Sequence, residues 1–199
     1  LSYIPGDIAF NKRKIISGIE EARSQGARLV VFSEMAVTGY PPLDLLHHTD
    51  VISSSMAAMQ EIATHCNTIA AIVGGPSPNT GEYGKSLHNS AFFMHEGNIK
   101  AVVNKTLLPT YDIFDEDRYF QPGNTFAPVE FDGVKIAVTI CEDIWDEQPF
   151  GDRGLWRLYS VSPLDELMKE HPSLIVNIAA NPFSHNRIKV REEVFIRNA

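Results

Sequence analysis

The apolar residues in the first part of the chain follow two different spacings, one typical of helices and one typical of strands. In residues 9–25 they recur every three or four positions between charged residues, and Gly26 follows, which predicts an amphipathic helix. Residues 29–32 form a short continuous apolar run, as expected for a strand covered on both faces. A second helix is predicted over residues 51–66 and a second buried strand over residues 69–73. The order is therefore helix, strand, helix, strand.

Two later pairs of apolar runs predict antiparallel strands. The Gly-Gly-Pro run at 74–76 is expected to end the second strand before these pairs begin. Residues 87–94 and 99–104 are separated by a short polar link that contains a glycine. Residues 126–131 and 134–140 are joined by Asp-Gly, which is a favoured hairpin turn. Each pair is therefore predicted to form a hairpin.

The last part of the chain adds a helix and a strand. Ser162 before Pro163, with acidic residues in the next turn, is a helix-start pattern, and the helix is predicted to run to about residue 170. Residues 174–178 predict another buried strand, and residues 196–199 end inside a predicted helix. Together, the predicted helices and strands indicate a mixed α/β layered domain. Because the chain also begins without Met, we expect it to be part of a longer protein.

The composition fits one globular domain whose partners are small molecules or proteins. The 199 residues are 44% hydrophobic and 21% charged, and the formal net charge is −8. No run of Lys or Arg forms a patch for nucleic acid or a membrane surface, and no apolar run is long enough to span a membrane. Cys66 and Cys141 lie in unlike contexts, which does not predict a disulfide framework. We therefore expect a reducing, cytoplasmic setting in which a catalytic thiol would survive.

Three reactive side chains stand at the ends of predicted strands. Cys141 comes where the strand over residues 134–140 stops and a polar turn begins, while Glu34 and Lys105 end two other strand segments. A carboxylate, an ammonium and a thiol in this position predict one site of nucleophilic catalysis at a sheet edge. A cysteine in a strand is more often a small buried hydrophobe, as we expect for Cys66. The polar residues after Cys141 favour the nucleophile, and a nearby Lys105 is expected to lower its pKa.

Neighbouring segments favour functional roles for Glu34 and Lys105 over those of ordinary surface residues. Glu34 could be a solvated acid just beyond a strand, and Lys105 could be a surface lysine. The rigid turn at 38–42 and the aromatic and charged segment at 111–120 instead indicate loops that line a site. The Gly-Lys-Ser at 84–86 imitates a phosphate-binding loop but lacks the preceding glycine. No His-Glu-x-x-His or Cys-x-x-Cys motif occurs, so no metal site is predicted.

Three separated segments resemble the catalytic blocks of the nitrilase (carbon-nitrogen hydrolase) superfamily. They are residues 32–42, 105–111 and 140–145, and they come in the order of that family, Glu then Lys then Cys. Within the superfamily, the runs at 40–45 and 114–120 resemble the glutaminase domains of glutamine-dependent NAD⁺ synthetases. The resemblance covers nearly all of the 199 residues and implies one domain with an α-β-β-α four-layer sandwich, of which the chain holds an incomplete part.

The resemblance also implies a reaction and a role for each reactive residue. Cys141 would attack the side-chain carboxamide of L-glutamine, release ammonia and form a glutamyl thioester that water then hydrolyses. Glu34 would act in turn as general base, acid and base. Lys105 would steady the thiolate and the oxyanion together with the backbone N–H of Glu142. Glu116 stands where the family often has a second glutamate that positions the lysine.

A set of further residues is implied to bind the substrate. The glutamine pocket would be lined by Tyr40, Tyr111 and Phe114. Arg187 would face the α-carboxylate of the substrate as a charged donor. Asn181 stands where the family often has a serine that contacts the amino-acid part of the substrate, and an amide can both donate and accept. Whether Asn181 or Ser184 makes this contact stays open at this point.

The implied partners lie outside this chain. The resemblance implies no cofactor in the glutaminase domain, and ATP and Mg²⁺ in a synthetase domain of the same polypeptide. The Ser-Gly-Gly-x-Asp-Ser loop of such a domain does not occur in these residues. The family also implies a homo-oligomer. Two alternatives stay open: a free-standing carbon-nitrogen hydrolase that acts on another amide or nitrile, and a catalytically silent assembly module, which would not need the three reactive residues.

Overall fold

The computed structural model describes residues 2–146, 158–181 and 187–198, which contain both helices and strands. The elements in chain order are α1 (Ile8–Ser24), β1 (Leu29–Val31), α2 (Thr49–Thr64), β2 (Ala70–Pro78), β3 (Leu87–His95), β4 (Asn98–Asn104), β5 (Val129–Phe131), β6 (Val134–Ile140), α3 (Pro163–Met168), β7 (Leu174–Ile178) and α4 (Arg187–Asn198). The predicted order helix, strand, helix, strand at the start of the chain is therefore confirmed.

The strands form two sheets that each mix parallel and antiparallel pairs. The first sheet has the order β1-β2-β3-β4 and the second the order β5-β6-β7. Strands β3 and β4 pair antiparallel, and so do β5 and β6, which confirms both predicted hairpins. Strands β1 and β2 are parallel, as are β6 and β7, and each of these pairs is connected through a helix.

The alternation of side chains along the strands divides the core into layers. On β3, Phe92 packs with Ile62 and other residues between the first sheet and helices α1 and α2. Its neighbour Phe93 points the opposite way, into the apolar layer between the two sheets. On the far side of the second sheet, Leu164 of α3 and Val194 of α4 pack together. This order confirms the predicted α-β-β-α sandwich.

Two details of the strands differ from the sequence-based expectation. Strand β1 is not covered on both faces by the described residues, because Val31 is 43% exposed, and β1 also forms the edge of its sheet. Strand β2 does not end at the Gly-Gly-Pro run but continues to Pro78, with Gly74 paired to Ala91. A Cβ on Gly74 would lie 2.4 Å from the carbonyl oxygen of Ser33, so glycine permits a close approach of two backbones here.

Side-chain caps fix the starts of two helices. Asp7 accepts a hydrogen bond from the N–H of Phe10 at 2.9 Å at the start of α1. Ser162 accepts one from the N–H of Asp165 at 3.3 Å and confirms the predicted start of α3. Among the helices of the described ranges, none is both long and apolar enough to cross a membrane.

Candidate active site

Glu34, Lys105 and Cys141 lie at strand ends, as the sequence predicts. Glu34 comes shortly after β1, Lys105 directly after β4 and Cys141 directly after β6. Their exposed fractions are 1%, 0% and 3%. The Nζ of Lys105 lies 2.9 Å from Oε1 of Glu34, so the structure brings together two residues that are far apart in sequence.

Lys105 bridges two buried carboxylates. Its Nζ donates to Oε1 of Glu34 at 2.9 Å. It also donates to Oε1 and Oε2 of Glu116 at 2.9 and 2.7 Å. We refer to Glu34, Lys105 and Glu116 as the charged cluster. Burial favours the neutral amine of Lys105, but the nearby negative charges outweigh burial and raise the pKa of Lys105 well above its ordinary value. Lys105 therefore stays a cation.

Glu116 begins a short 3₁₀ turn and reaches back to Lys105 from the loop that follows β4. Burial and the charge of Glu34 raise the pKa of Glu116 to about 7, although Lys105 acts in the opposite direction. The hydroxyl of Tyr40 donates to Oε1 of Glu116 at 3.3 Å. Because two carboxylates share one ammonium, the charged cluster can take up a proton near neutral pH.

Glu34 is held in place by groups from both sheets. Its Oε1 accepts a hydrogen bond from Nδ2 of Asn89 on β3 at 2.8 Å, and its Oε2 accepts one from the N–H of Ala180 after β7 at 3.0 Å. The backbone carbonyl of Asn89 also accepts the N–H of Lys105 at 2.8 Å. Sequence reasoning missed Asn89, although a polar residue inside an apolar strand is a signal that could have found it.

Cys141 occupies a sharp turn between a strand and a 3₁₀ helix. Its φ is +46°, a strained value for a residue other than glycine, and such strain is concentrated at functional sites. Its thiol donates to Oδ1 of Asn181 at 3.1 Å. Burial, followed by the charge of Glu34, raises the pKa of Cys141 well above its ordinary value, and Lys105 only partly opposes this. The expected lowering of the pKa is therefore wrong, and the thiol needs a base.

Asp143 connects the turn of Cys141 to the segment after Lys105. Its Oδ1 accepts the N–H groups of Thr106 and Leu107, both at 2.9 Å, and its Oδ2 accepts the N–H of Ile140 at 3.0 Å. Burial raises the pKa of Asp143 to about 6. Sequence reasoning missed this role, because nothing in the local pattern distinguishes Asp143 from a solvated acid. Its side chain sets the position of the thiol relative to the charged cluster.

Two tyrosine hydroxyls contact the side chain of Glu142. The Tyr111 hydroxyl donates to Oε1 and Oε2 of Glu142 at 2.8 and 3.0 Å, and the Tyr159 hydroxyl donates to Oε1 at 3.1 Å. Phe114 packs edge-on against Tyr111 with ring centroids 5.9 Å apart. Tyr111 therefore lies beside the residue that follows Cys141, and Phe114 packs against Tyr111. Tyr159 was not predicted.

A cavity of about 380 Å³ opens at the charged cluster. This volume lies in the usual range of ligand pockets, roughly 300–1,000 Å³. The cavity is lined by Tyr3, Ser33, Glu34, Tyr40, Ala179, Ala180, Asn181 and Arg191. It is adjacent to Cys141 through Asn181, which accepts the hydrogen bond of the thiol. Of the predicted residues, Glu34, Tyr40 and Asn181 thus face one cavity.

Two predicted substrate-binding residues lie outside what the structure describes. Ser184 falls between the described ranges, and of Arg187 only the backbone, at the start of α4, is described. Arg191, one helical turn beyond Arg187, lines the cavity and was not predicted. In the described part of the chain, no group of three or more His, Cys, Asp or Glu is arranged to hold a metal ion. Cys66 is buried in the apolar core, as predicted.

The family of this chain is shown by a family model that matches most of its residues. A model of the carbon-nitrogen hydrolase family matches residues 3–148, which include Glu34, Lys105 and Cys141. The chain belongs to the carbon-nitrogen hydrolase family. Among curated relatives of this carbon-nitrogen hydrolase chain, the glutamine-dependent NAD(+) synthetase of Synechocystis is 37% identical over 98% of the chain and 35% of the relative. The enzyme of the same name from Aquifex aeolicus is 32% identical over 96% of the chain and 31% of the relative.

Solved structures share the fold of this carbon-nitrogen hydrolase. A glutamine-dependent NAD+ synthetase from Acinetobacter baumannii, solved with adenosine diphosphate, superposes with a TM-score of 0.84 at 29% identity, over 99% of the chain and 34% of that structure. A nitrilase-superfamily amidase from Nesterenkonia superposes with a TM-score of 0.75 at 18% identity, over 99% of the chain and 70% of that structure, which indicates the fold alone. The chain spans about a third of the length of the curated relatives it matches.

Proposed function

We propose that this carbon-nitrogen hydrolase chain is the glutaminase domain of a glutamine-dependent NAD⁺ synthetase. The observation that carries the proposal is a buried Cys141 thiol whose pKa is raised by burial and by the charge of Glu34, a carboxylate that Lys105 holds in place. Relatives named as glutamine-dependent NAD(+) synthetases align with nearly the whole chain, which supports L-glutamine as the substrate. The reaction is hydrolysis of the side-chain carboxamide through a thioester.

In the first half of the reaction, Glu34 removes the proton of the Cys141 thiol while Sγ forms a bond to the carboxamide carbon. The raised pKa of the thiol makes this base necessary, because little thiolate forms without it. The negative charge that develops on the carboxamide oxygen is stabilised by the Lys105 ammonium and the backbone N–H of Glu142. Glu34 then gives its proton to the nitrogen, the C–N bond breaks and ammonia leaves.

In the second half, water replaces ammonia. Glu34 accepts a proton from the water as its oxygen attacks the thioester carbon, and the second oxyanion is held by the same donors. The C–S bond then breaks, Sγ regains its proton from Glu34, and glutamate leaves. Lys105 keeps its charge throughout because its pKa is raised well above its ordinary value. Its role is electrostatic, and Glu116 positions it through two hydrogen bonds.

The proposal extends to the pocket and to the rest of the native polypeptide. Tyr40, Tyr111, Phe114, Asn181, Ser184 and Arg187 are proposed to bind the substrate. The released ammonia would amidate nicotinic acid adenine dinucleotide in a separate synthetase domain, which uses ATP and Mg²⁺ as a ligase of NAD biosynthesis. The names of the relatives and their roughly threefold greater length support this arrangement. We propose a homo-oligomer in the cytoplasm.

The test is the release of ammonia and glutamate from L-glutamine by the full native polypeptide. Cys141→Ala should abolish release, because Cys66, the other cysteine, is buried in the apolar core. Glu34→Gln should also abolish turnover while preserving the size of the side chain. Mass spectrometry of wild type quenched during turnover should detect a glutamyl group on Cys141.

Two outcomes would contradict the proposal. Equal release by wild type and Cys141→Ala would exclude the thiol as the nucleophile. Inert wild type would exclude the glutaminase, and a screen of other amides and nitriles would then test the free-standing hydrolase. Inertness toward these as well would favour a silent assembly module.

A further inference from the structure

The thiol of Cys141 is hydrogen-bonded to Asn181 and not to the proposed base. Its Sγ donates to Oδ1 of Asn181 at 3.1 Å. Within the described ranges, Oε1 of Glu34 accepts from Asn89 and Lys105 and Oε2 accepts a backbone N–H, so the thiol is not among the donors to Glu34. A thiol has a single hydrogen to donate. The contact with Asn181 must therefore break before Glu34 can take the proton.

One short segment after β7 holds both the proposed base and the nucleophile. The backbone N–H of Ala180 donates to Oε2 of Glu34 at 3.0 Å, and the next residue, Asn181, accepts the hydrogen of the thiol. Ala179, Ala180 and Asn181 also line the cavity of about 380 Å³. A ligand in that cavity therefore contacts the segment that fixes the two groups.

The turn that carries Cys141 is held by hydrogen bonds, so the thiol changes its partner by rotation of the side chain. The carbonyl oxygen of Cys141 accepts from Nδ2 of Asn177 at 3.3 Å. Oδ2 of Asp143 accepts the N–H of Ile140, the residue before the nucleophile, at 3.0 Å. Staggered rotamers about the Cα–Cβ bond give Sγ a small set of discrete positions. The thiol can therefore leave Asn181 while the backbone of the turn stays in place.

The electrostatic surroundings keep the proton on Cys141 until a base accepts it. The charged groups that face the thiol are Glu34, Lys105, Glu116 and Glu142. Burial and the carboxylates raise the pKa of Cys141 well above its ordinary value, and Lys105 opposes them only in part. A neutral thiol is a weak donor, and the uncharged amide oxygen of Asn181 binds it less strongly than a carboxylate would. The contact is therefore reversible.

We propose that Asn181 is a positioning residue that holds the proton of the Cys141 thiol away from Glu34, so that the first proton transfer requires this contact to break. The inference deepens the proposed function and rests on it for the identity of the base. This role concerns the nucleophile, and it differs from the substrate contact proposed above for the same side chain.

The test measures how fast iodoacetamide alkylates Cys141 in the full native polypeptide at neutral pH, with no L-glutamine added. Mass spectrometry of the peptide that contains Cys141 gives the rate. Asn181→Leu keeps roughly the size of the side chain and removes the acceptor, so the rate should rise by about three- to tenfold, the range of one neutral hydrogen bond. Asn181→Asp keeps the shape and supplies a charged acceptor, so the rate should fall below that of wild type.

A second substitution separates the hydrogen bond from access to the thiol. In this proposal the freed thiol gains reactivity because Glu34 accepts its proton. In a Glu34→Gln background, Asn181→Leu should therefore change the rate by less than about twofold. A substitution that merely opens the cavity would raise the rate equally in both backgrounds, and that result would overturn the proposal.

The same samples contain controls for folding and for the type of substitution. Cys66 is fully buried and should stay unlabelled in every folded variant. Asn124→Leu makes the same change at an exposed position and should leave the rate at Cys141 unchanged. Asn181→Ser shortens the side chain without adding an apolar group, and it should raise the rate even if Asn181→Leu fails to fold. A rate equal to that of wild type in Asn181→Ser and in folded Asn181→Leu would overturn the proposal.

Labelling and turnover together distinguish this inference from the proposed function. If L-glutamine is not hydrolysed but the labelling rates follow the expected order, the proposed function fails and the role of Asn181 stands. If L-glutamine is hydrolysed through Cys141 while Asn181→Leu and wild type are labelled equally fast, the proposed function stands and the role of Asn181 is wrong.

Discussion

Two regions of this domain are buried equally and have opposite chemistry. In the helix-side core, which is the apolar layer between the first sheet and helices α1 and α2, Ile62 and Met59 are fully buried. At the ends of strands in the same sheet, the charged cluster buries Lys105 completely between Glu34 and Glu116. Removing apolar surface from water stabilises the first region, whereas removing charges from water destabilises the second unless their contacts are retained. The charged cluster is therefore explained by chemistry and not by stability.

The largest effect is expected from breaking the charged cluster. Lys105→Met would leave Glu34 and Glu116 buried together without a cation. We expect a loss of about 3–5 kcal/mol in the free energy of unfolding at pH 8, the cost of breaking a buried ion pair from one side. Urea unfolding measures this loss, and glutamine hydrolysis should disappear as well.

A double variant is the control for this prediction. Lys105→Met combined with Glu116→Gln removes one negative charge together with the cation, so part of the lost stability should return. A stability of Lys105→Met within about 1 kcal/mol of wild type would mean that the charged cluster does not depend on its cation.

The helix-side core should respond differently to a change of similar severity. Ile62→Ala removes buried methyl groups and leaves a cavity, at an expected cost of about 2–4 kcal/mol in the free energy of unfolding. The kcat for L-glutamine should be unchanged at temperatures where the variant is folded, because Ile62 contacts none of the site residues through hydrogen bonds or charge. Ile62→Val should cost only about 0.5–1.5 kcal/mol. A fall in kcat with normal stability would contradict the separation of the two regions.

The pH dependence of stability should sharpen the comparison. The pKa of Glu116 is raised to about 7 in the folded protein from an ordinary value of 4.5. The folded state therefore binds more protons than the unfolded state between these values, and stability should fall as pH rises from about 4.5 to about 7. We expect a contribution on the order of 1–3 kcal/mol.

Urea unfolding of wild type and Glu116→Gln at several pH values isolates this contribution. Asp143 also has a raised pKa, but it is present in both proteins and cancels in the difference. The free energy of unfolding of wild type should decrease toward pH 7 relative to that of Glu116→Gln. A difference that increases with pH would reverse the assigned direction of the Glu116 shift.

The smallest effect is expected from an ion pair outside the buried regions. Lys12 on α1 lies 2.6 Å from Glu61 on α2, with side chains 25% and 52% exposed. Lys12→Met should change the free energy of unfolding by less than about 1 kcal/mol, because water and salt screen the pair. The difference between the losses of stability in Lys12→Met and Lys105→Met measures how much burial adds to the cost of breaking an ion pair. Thermal unfolding in low and high salt measures the contribution of this ion pair to stability. A loss above about 2 kcal/mol in the free energy of unfolding of Lys12→Met would contradict the contrast between exposed and buried ion pairs.

Local patterns in the sequence were sufficient to place most of the elements. Apolar spacing predicted α1, α2 and both hairpins, and capping residues predicted the start of α3. The extension of β2 through Gly74 was missed, because glycine usually breaks a strand. Here it permits the close approach of Ser33, which a local pattern does not reveal.

Contacts between distant residues limited what could be predicted about the site. The ends of three strands indicated Glu34, Lys105 and Cys141, and the family resemblance supplied their roles. The partners Asn89 and Asp143 were missed, because their side chains act on residues distant in sequence. The raised pKa of Cys141 was also missed, since burial outweighs the attraction of Lys105.

The sequence by itself determined which residues are reactive and that each stands where a strand ends, because hydrophobic periodicity and turn residues are local properties. Only the tertiary structure decided which of them meet and in which state of charge. The N–H of Ala180 reaches Glu34 from the segment after β7 of the other sheet, and this contact depends on how the two sheets pack. The position of Arg191 on the cavity likewise follows from the docking of α4. Burial and neighbouring charges, which set the pKa values, exist only after that packing.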